Sequence, residues 1–242
     1  MKSIKNITKK GILVVLASGK PRKYTEDISK YCYASKYVIT SNGGNIYDYE
    51  SKTDMYLNIM DKEACTTLYN IAMKNNVRYI MNVGDVRVVS CLKFFDGTET
   101  KLETNIEEFV RSNAIVQCTI ADSSFNKIKK IKSDIQKIKN VEIKNQHKSL
   151  IDSSVLPEGT IYYDIANIES SKGLAVEKLC NMLNIDIKDS IAIGDDYNDI
   201  SMFKKVGYSV VMGNANDNVK KYANEVINSN DENGVAIFLE NL

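Results

Sequence analysis

This sequence of 242 residues predicts an α/β fold: a parallel-sheet core interrupted by an inserted α+β unit. Three observations carry the prediction. Short apolar, β-branched runs at residues 12–17, 37–40 and 191–193 each end in a loop of small polar residues. The first two runs are separated by a helical pattern, a rhythm that builds parallel βαβ units with right-handed crossovers. Between residues 59 and 165 the order changes to αββ(α)βαββ, the signature of a separate α+β layer.

Taken in order, residues 1–10 place Ile4 and Ile7 three apart among lysines, a short amphipathic helix with Gly11 as its C-terminal cap. Residues 12–17 are apolar throughout, as in a strand buried on both faces. A helix over 22–34 and a strand over 37–40 complete the first unit, and residues 45–58 form a hairpin. The insert reads as helix 62–74, strands 77–81 and 86–90, helix 106–111, strand 114–120, a lysine-rich helix 124–139 and strands 141–144 and 160–165. The domains are therefore 1–58 with 166–242 (the core) and 59–165 (the insert). Ser170-Ser-Lys-Gly173 opens a helix with Leu174, Leu179, Met182 and Leu183 on its apolar face. After 191–193 come a helical pattern from Ile200, strand 208–212, helix 218–223, strand 225–227 and a last helix from Gly234.

Composition excludes several classes. Lys plus Arg is 32 against 31 acidic residues, so the chain lacks the basic footprint of a dedicated nucleic-acid binder. The lysine run at 127–139 reads as a solvated helix face. The single histidine, His147, rules out a His-rich zinc site and reads as a surface or satisfied side chain. Five scattered cysteines with no Cys-x-x-Cys pair suit free thiols in a reducing cytoplasm. Lysines before residues 11–17 imitate a secretory signal, but Lys20, Arg22 and Lys23 follow at once, and no run approaches the roughly 20 apolar residues of a membrane span. Asp96-Gly97-Thr98 reads as a hairpin turn rather than a catalytic motif.

The chemistry concentrates at three loops. Asp195, Asp196, Asn198 and Asp199 crowd the C-terminal end of an apolar run, where open α/β sheets place their sites. Hard oxygens there suit Mg²⁺, although an acidic helix cap has the same composition. Ser18 and Gly19 follow the first run, and Asn42 with Gly43 and Gly44 follows the second. Amide-lined turns of this kind bind phosphate, and they also serve as ordinary turns. Lys172 stands at a helix start, where the dipole disfavours a cation, so either an anion is near or the lysine snorkels to solvent.

These residues resemble the haloacid dehalogenase superfamily, nearest its Cof-like sugar-phosphate phosphatases with a large α+β cap. Val15-Leu-Ala-Ser-Gly-Lys-Pro21 is similar to the second motif, Ile39-Thr-Ser-Asn-Gly-Gly44 to an Asn-Gly-Ala segment, and Ser171-Lys-Gly173 to the third motif. Gly194-Asp-Asp-Tyr-Asn-Asp199 resembles the fourth, and Met212-Gly-Asn-Ala215 with Asn233-Gly-Val-Ala236 the tail. The resemblance implies a Rossmann-like core and Mg²⁺-dependent hydrolysis of a small phosphorylated metabolite through an aspartyl-phosphate. It implies that Ser18 and Lys172 serve the transferring phosphoryl group, and that Asp195 and Asp199 hold Mg²⁺. It also implies that Gly19, Asn42, Gly43 and Asn198 face the substrate, and that the cap closes over the site and selects the leaving group. Lys20 stands where an Arg is usual.

The family begins with a strand ending in Asp-x-Asp-Gly-Thr that supplies the nucleophile, and no Asp-x-Asp occurs in these 242 residues. The expectation is a cytoplasmic Cof-like phosphatase lacking its central first strand and inactive as it stands, with neither membrane nor nucleic acid as partner. The alternatives are a non-catalytic phospho-ligand-binding or regulatory protein and, behind it, a phosphomutase relative.

Overall fold

The computed structural model describes residues 2–90, 99–149 and 157–242; the turn expected at Asp96-Gly97-Thr98 lies outside the described residues. The chain divides into two compact units. One comprises Met1–Lys20, Tyr24–Tyr56 and Ser171–Leu242, the other Pro21–Lys23 and Leu57–Ser170.

The first unit opens with α1 (Lys2–Lys9), which buries Ile7 and ends before Gly11 at φ 87°. Strand β1 (Leu16–Ala17) pairs in parallel with β2 (Tyr37–Thr40) across α2 (Arg22–Cys32), the expected βαβ unit. The strand foreseen over 12–17 is cut to two paired residues, and Ile12 and Leu13 are 39% and 44% exposed. Pairing on one edge alone does not cover the run. Strand β3 (Asn45–Asp48) turns back antiparallel to β2, and β4 (Thr53–Leu57) completes the sheet order β1-β2-β3-β4. Asp48 fixes the β3–β4 turn: its carboxylate accepts the amides of Glu50 at 2.9 Å and Ser51 at 3.2 Å and lies 2.9 Å from Lys36 Nζ.

The second unit starts with α3 (Lys62–Asn75), capped by Asp61, whose Oδ1 accepts the Ala64 amide at 2.9 Å, and closed by Asn76 at φ 51°. Next come β5 (Arg78–Val83), β6 (Val86–Val89), the unforeseen two-residue β7 (Thr100–Lys101) and α4 (Ile106–Ser112). Strand β8 (Ile115–Asp122), α5 (Phe125–Ile135), β9 (Val141–Lys148) and β10 (Ile161–Asn167) follow. The sheet order is β7-β6-β5-β8-β10-β9. Helix α5 stops four residues short of the expected 139, and β9 runs four beyond the expected 144, because it pairs with β10 as far as Lys148.

The alternation along these strands separates two faces. Tyr79, Met81, Cys118, Ile120 and Ile165 point into one core with Leu68 of α3 and Ile128, Ile131 and Ile135 of α5. Register places Arg78, Ile80, Asn82, Gln117, Thr119, Tyr162 and Asp164 on the opposite face. There Arg78 pairs with buried Glu99, and Thr119 Oγ1 donates to Asp164 Oδ1 at 2.8 Å. His147 stacks on Tyr162, ring centroids 4.9 Å apart, with Nδ1 3.9 Å from Asp164 Oδ2. Expected at the surface or with its polar atoms satisfied, it is half-buried on this stack.

The chain then returns to the first unit with α6 (Lys172–Met182), β11 (Ile191–Gly194), the single turn α7 (Ile200–Phe203) and β12 (Tyr208–Met212). It ends with α8 (Asp217–Lys220), β13 (Glu225–Ile227) and α9 (Gly234–Glu240). Strands β11, β12 and β13 form a parallel sheet in that order. Ala17 and Val176 pack against the hydrophobic clusters of both sheets, so β1 and α6 join them into one core. Among the described residues, β1 and β11 are each the terminal strand of their sheet, paired along one edge. No helix of the described residues is long and apolar enough to cross a membrane.

Candidate functional site

The loops after β1 and β2 are laced together by backbone. The Ser18 amide donates to Ile39 O at 2.9 Å, and Ser18 O accepts the Asn42 amide at 3.1 Å. Ser18 Oγ accepts the Lys20 amide at 3.1 Å, and Lys20 O accepts from Ser41 at 3.0 Å. Asn42 takes a left-handed backbone, φ 56° and ψ 31°, which Asn tolerates better than most residues. Gly43 is required twice over. Its φ is 89°, and a Cβ there would lie 2.1 Å from Ser171 O, so the glycine lets this loop meet the N-terminus of α6.

The acidic stretch forms a 3₁₀ turn, Tyr197–Asp199, closing on itself as a capping box between Asp196 and Asp199. Asp199 is its hub. Oδ2 accepts the amides of Asp195 at 2.9 Å and Asp196 at 3.0 Å, while Oδ1 accepts from Lys172 Nζ at 2.7 Å. Both partners are nearly buried, Asp199 at 4% and Lys172 at 7% exposure. The lysine placed against the dipole is thereby explained, since Asp199 is one anion beside it. Ser171 caps α6 by accepting the Leu174 amide at 3.1 Å.

Asn198 joins the acidic turn to the second loop: its Nδ2 donates to Asn42 Oδ1 at 2.9 Å. Its own Oδ1 is buried without a hydrogen-bond partner. Asp195 is exposed at its outer edge. Its carboxyl is nevertheless raised above the usual Asp range, first by burial, then by the charges of Asp199 and Asp196; Lys172 and a hydrogen bond with Asn214 pull the other way.

The structure therefore brings Ser18, Gly19, Asn42, Gly43, Lys172, Asp195, Asn198 and Asp199 into one connected cluster. The two acids foreseen as metal ligands are not equivalent. Asp199 has both oxygens engaged by protein donors, and Asp195 is the carboxylate left open to the surface. Among the described residues no group of three His, Cys, Asp or Glu side chains is arranged to hold a metal ion. Sequence reasoning quoted Asn214 only within the tail segment and gave it no role, although it reaches Asp195 from the loop after β12; it missed Ser201, which accepts the Gly173 amide at 3.0 Å. The polar face in the second unit was also missed, although Arg78-x-Ile80-x-Asn82 and Gln117-x-Thr119 alternate against apolar neighbours.

A buried Lys–Asp pair thus stands at a helix N-terminus beside two loops at parallel-strand ends, and the chain itself matches a known family along almost its whole length. The profile of the haloacid dehalogenase-like hydrolases matches residues 1–239. The chain belongs to that family. Among curated relatives of this haloacid dehalogenase-like chain is the Bacillus subtilis 5-amino-6-(5-phospho-D-ribitylamino)uracil phosphatase YwtE. It is 29% identical over 268 aligned residues, covering 99% of this chain and 89% of YwtE. Phosphatase YwpJ of B. subtilis is 24% identical over 259 residues, covering 99% and 91%. A haloacid dehalogenase-like hydrolase from Bacteroides thetaiotaomicron superposes with a TM-score of 0.80 at 26% identity, covering 99% of this chain and 90% of that one.

Proposed function

We propose that the cluster around Lys172 binds the phosphate of a small phosphomonoester, a sugar phosphate or similar metabolite, in the manner of a Cof-like phosphatase. The observation that carries this reading is the Lys172–Asp199 pair, nearly buried at the start of α6. An ammonium has three donors, and one goes to Asp199, which leaves Lys172 able to meet a second anion. The amides of Ser18, Lys20, Ser41 and Asn42 are spent within the two loops, so the charge rests on Lys172, and positioned positive charge is most of what phosphoryl transfer asks of a protein. YwtE, by its name, acts on a ribityl phosphate, which supports the substrate class.

The donor set fits Mg²⁺: Asp195 offers an open carboxylate, and the Asn198 amide oxygen is buried and unpartnered. When bound, Mg²⁺ would neutralise phosphate charge. Asp195 would hold it, with Asn198 beside it, while Asp199 orients Lys172 and the backbone of the acidic turn. Ser18 Oγ would hydrogen-bond the phosphoryl group.

None of these residues is a placed nucleophile, and no Asp-x-Asp pair occurs in the 242 residues. The proposal is therefore that these residues bind phosphate without turnover, and that turnover needs an acid of the kind that a strand ending in Asp-x-Asp-Gly-Thr would bring. A purely phospho-ligand-binding role is the second reading, favoured by Asp199 being fully engaged. The test assays the 242-residue chain, and the same chain preceded in frame by such a strand, on sugar phosphates with and without Mg²⁺. Binding without turnover in the first and Mg²⁺-dependent turnover in the second is expected. Failure of the extended chain to turn over leaves the binding reading. Robust turnover by the 242 residues alone, abolished by Asp199→Asn, would overturn the account and require another nucleophile.

A further inference from the structure

Beyond the residues that would touch phosphate, the structure assigns Ser201 as a positioning residue that sets the reach of Lys172. This rests on the phosphate-site reading above. The Ser201 hydroxyl accepts the Gly173 amide at 3.0 Å and donates to Asn198 O at 3.1 Å. Gly173 is the residue after Lys172, and Asn198 is the residue before Asp199. The start of α6 and the acidic turn are thus fastened at two neighbouring points, the Lys172–Asp199 pair and the Gly173–Ser201–Asn198 tie.

The second point changes the physics of the first. A lysine has four rotatable carbons, so the ion pair alone fixes a distance but not the orientation of α6 against the turn. The tie acts on backbone within one residue of Lys172 and removes that freedom. It also satisfies one of the four amides that a helix start leaves without an intrahelical partner, while Ser171 satisfies another. Gly173 makes the approach possible: a Cβ there would lie 1.9 Å from Ser201 O, so no other residue allows this contact without a backbone shift. A serine hydroxyl is one donor and two acceptors, which matches both bonds. Alanine at 201 keeps the packing and removes both.

The experiment uses the full 242-residue chain as parent, Ser201→Ala and Ser201→Thr. Hydrogen exchange at the Gly173 amide, followed by NMR with ¹⁵N-glycine labelling, reads the tie itself. Inorganic phosphate, titrated calorimetrically in the presence of Mg²⁺, reads the consequence. Ser201→Ala should raise Gly173 exchange about tenfold and weaken phosphate binding about five- to tenfold, since the lost Gly173 bond of about 1 kcal/mol is a factor of about five and the Asn198 bond goes with it. Ser201→Thr, which keeps the hydroxyl, should restore both toward the parent. Unchanged Gly173 exchange in Ser201→Ala overturns the tie. Faster exchange with unchanged phosphate affinity, or a threonine variant that restores melting temperature but not affinity, overturns the positioning role and leaves a structural cap. A parent that binds no phosphate, with Gly173 protected and then released by Ser201→Ala, refutes the phosphate reading and the role built on it, but not the tie.

Discussion

Lys172 Nζ lies 2.7 Å from Asp199 Oδ1, and the two residues, 27 apart in sequence, are both nearly buried. The pair links the start of α6 to the turn after β11. Because Asp199 Oδ2 also accepts two backbone amides, the carboxylate organises the turn as well as the lysine.

The two halves of that pair should therefore differ in cost. Removing one partner of a buried pair costs about 3–5 kcal/mol. Lys172→Met should fall at the lower end, since Asp199 keeps its amide donors, and Asp199→Ala at the upper end, since it strands both the lysine and the amides. Denaturant titration of each variant checks the order; a reversed order, or two losses below about 1 kcal/mol, would contradict it.

Mg²⁺ should stabilise the folded parent by mass action, by about 2.7 kcal/mol when present at about 100 times its dissociation constant, and so raise its melting temperature. Asp195→Asn should remove most of the shift, because Asp195 is the open carboxylate of the site. A parent whose melting temperature is indifferent to Mg²⁺ up to tens of millimolar would argue against a hard-cation site.

Gly43→Ala should destabilise the first unit by about 3 kcal/mol, because the methyl meets Ser171 O at 2.1 Å and the backbone is left-handed. Gly11→Ala, with a similar φ and nothing within 4 Å, supplies the control for backbone strain alone. Equal losses in the two variants would show that the close approach costs nothing.

Asp48 gives the first unit a pH dependence. Burial alone would raise its carboxyl, but the Lys36 ammonium and the amides of Ser51 and Glu50 outweigh it, and the group sits below the usual Asp range. A carboxyl depressed in the folded state contributes stability above its unfolded pKa of about 3.9 and loses it as pH falls through the folded value. The parent should therefore lose more stability than Asp48→Asn between neutral pH and acid. Parallel stability profiles for the two proteins would exclude the contribution.

Residues 57–170, the continuous segment of the second unit, should unfold cooperatively when expressed alone, because the unit's largest hydrophobic cluster draws only on residues within that segment. A gradual, non-cooperative melt would mean that this cluster depends on the rest of the chain.

Much of this was written locally. The β1–α2–β2 rhythm, the acidic turn, the Asn42–Gly43 loop and the α6 start follow from residue types a few positions apart, because strand, turn and cap propensities depend on near neighbours. Local residue types thus set the class of fold and marked the loops that carry chemistry. Long-range packing chose the partners: that Lys172 answers to Asp199, that Asn198 reaches Asn42 from 156 residues away, and that Ser201 ties down Gly173. It also decided that residues 12–17 pair along one edge over two residues only, and that the second unit hides a polar sheet face. Spacing along a chain fixes which side chains share a turn or a face, whereas the choice among distant partners depends on how helices and strands pack, and no local pattern encodes that.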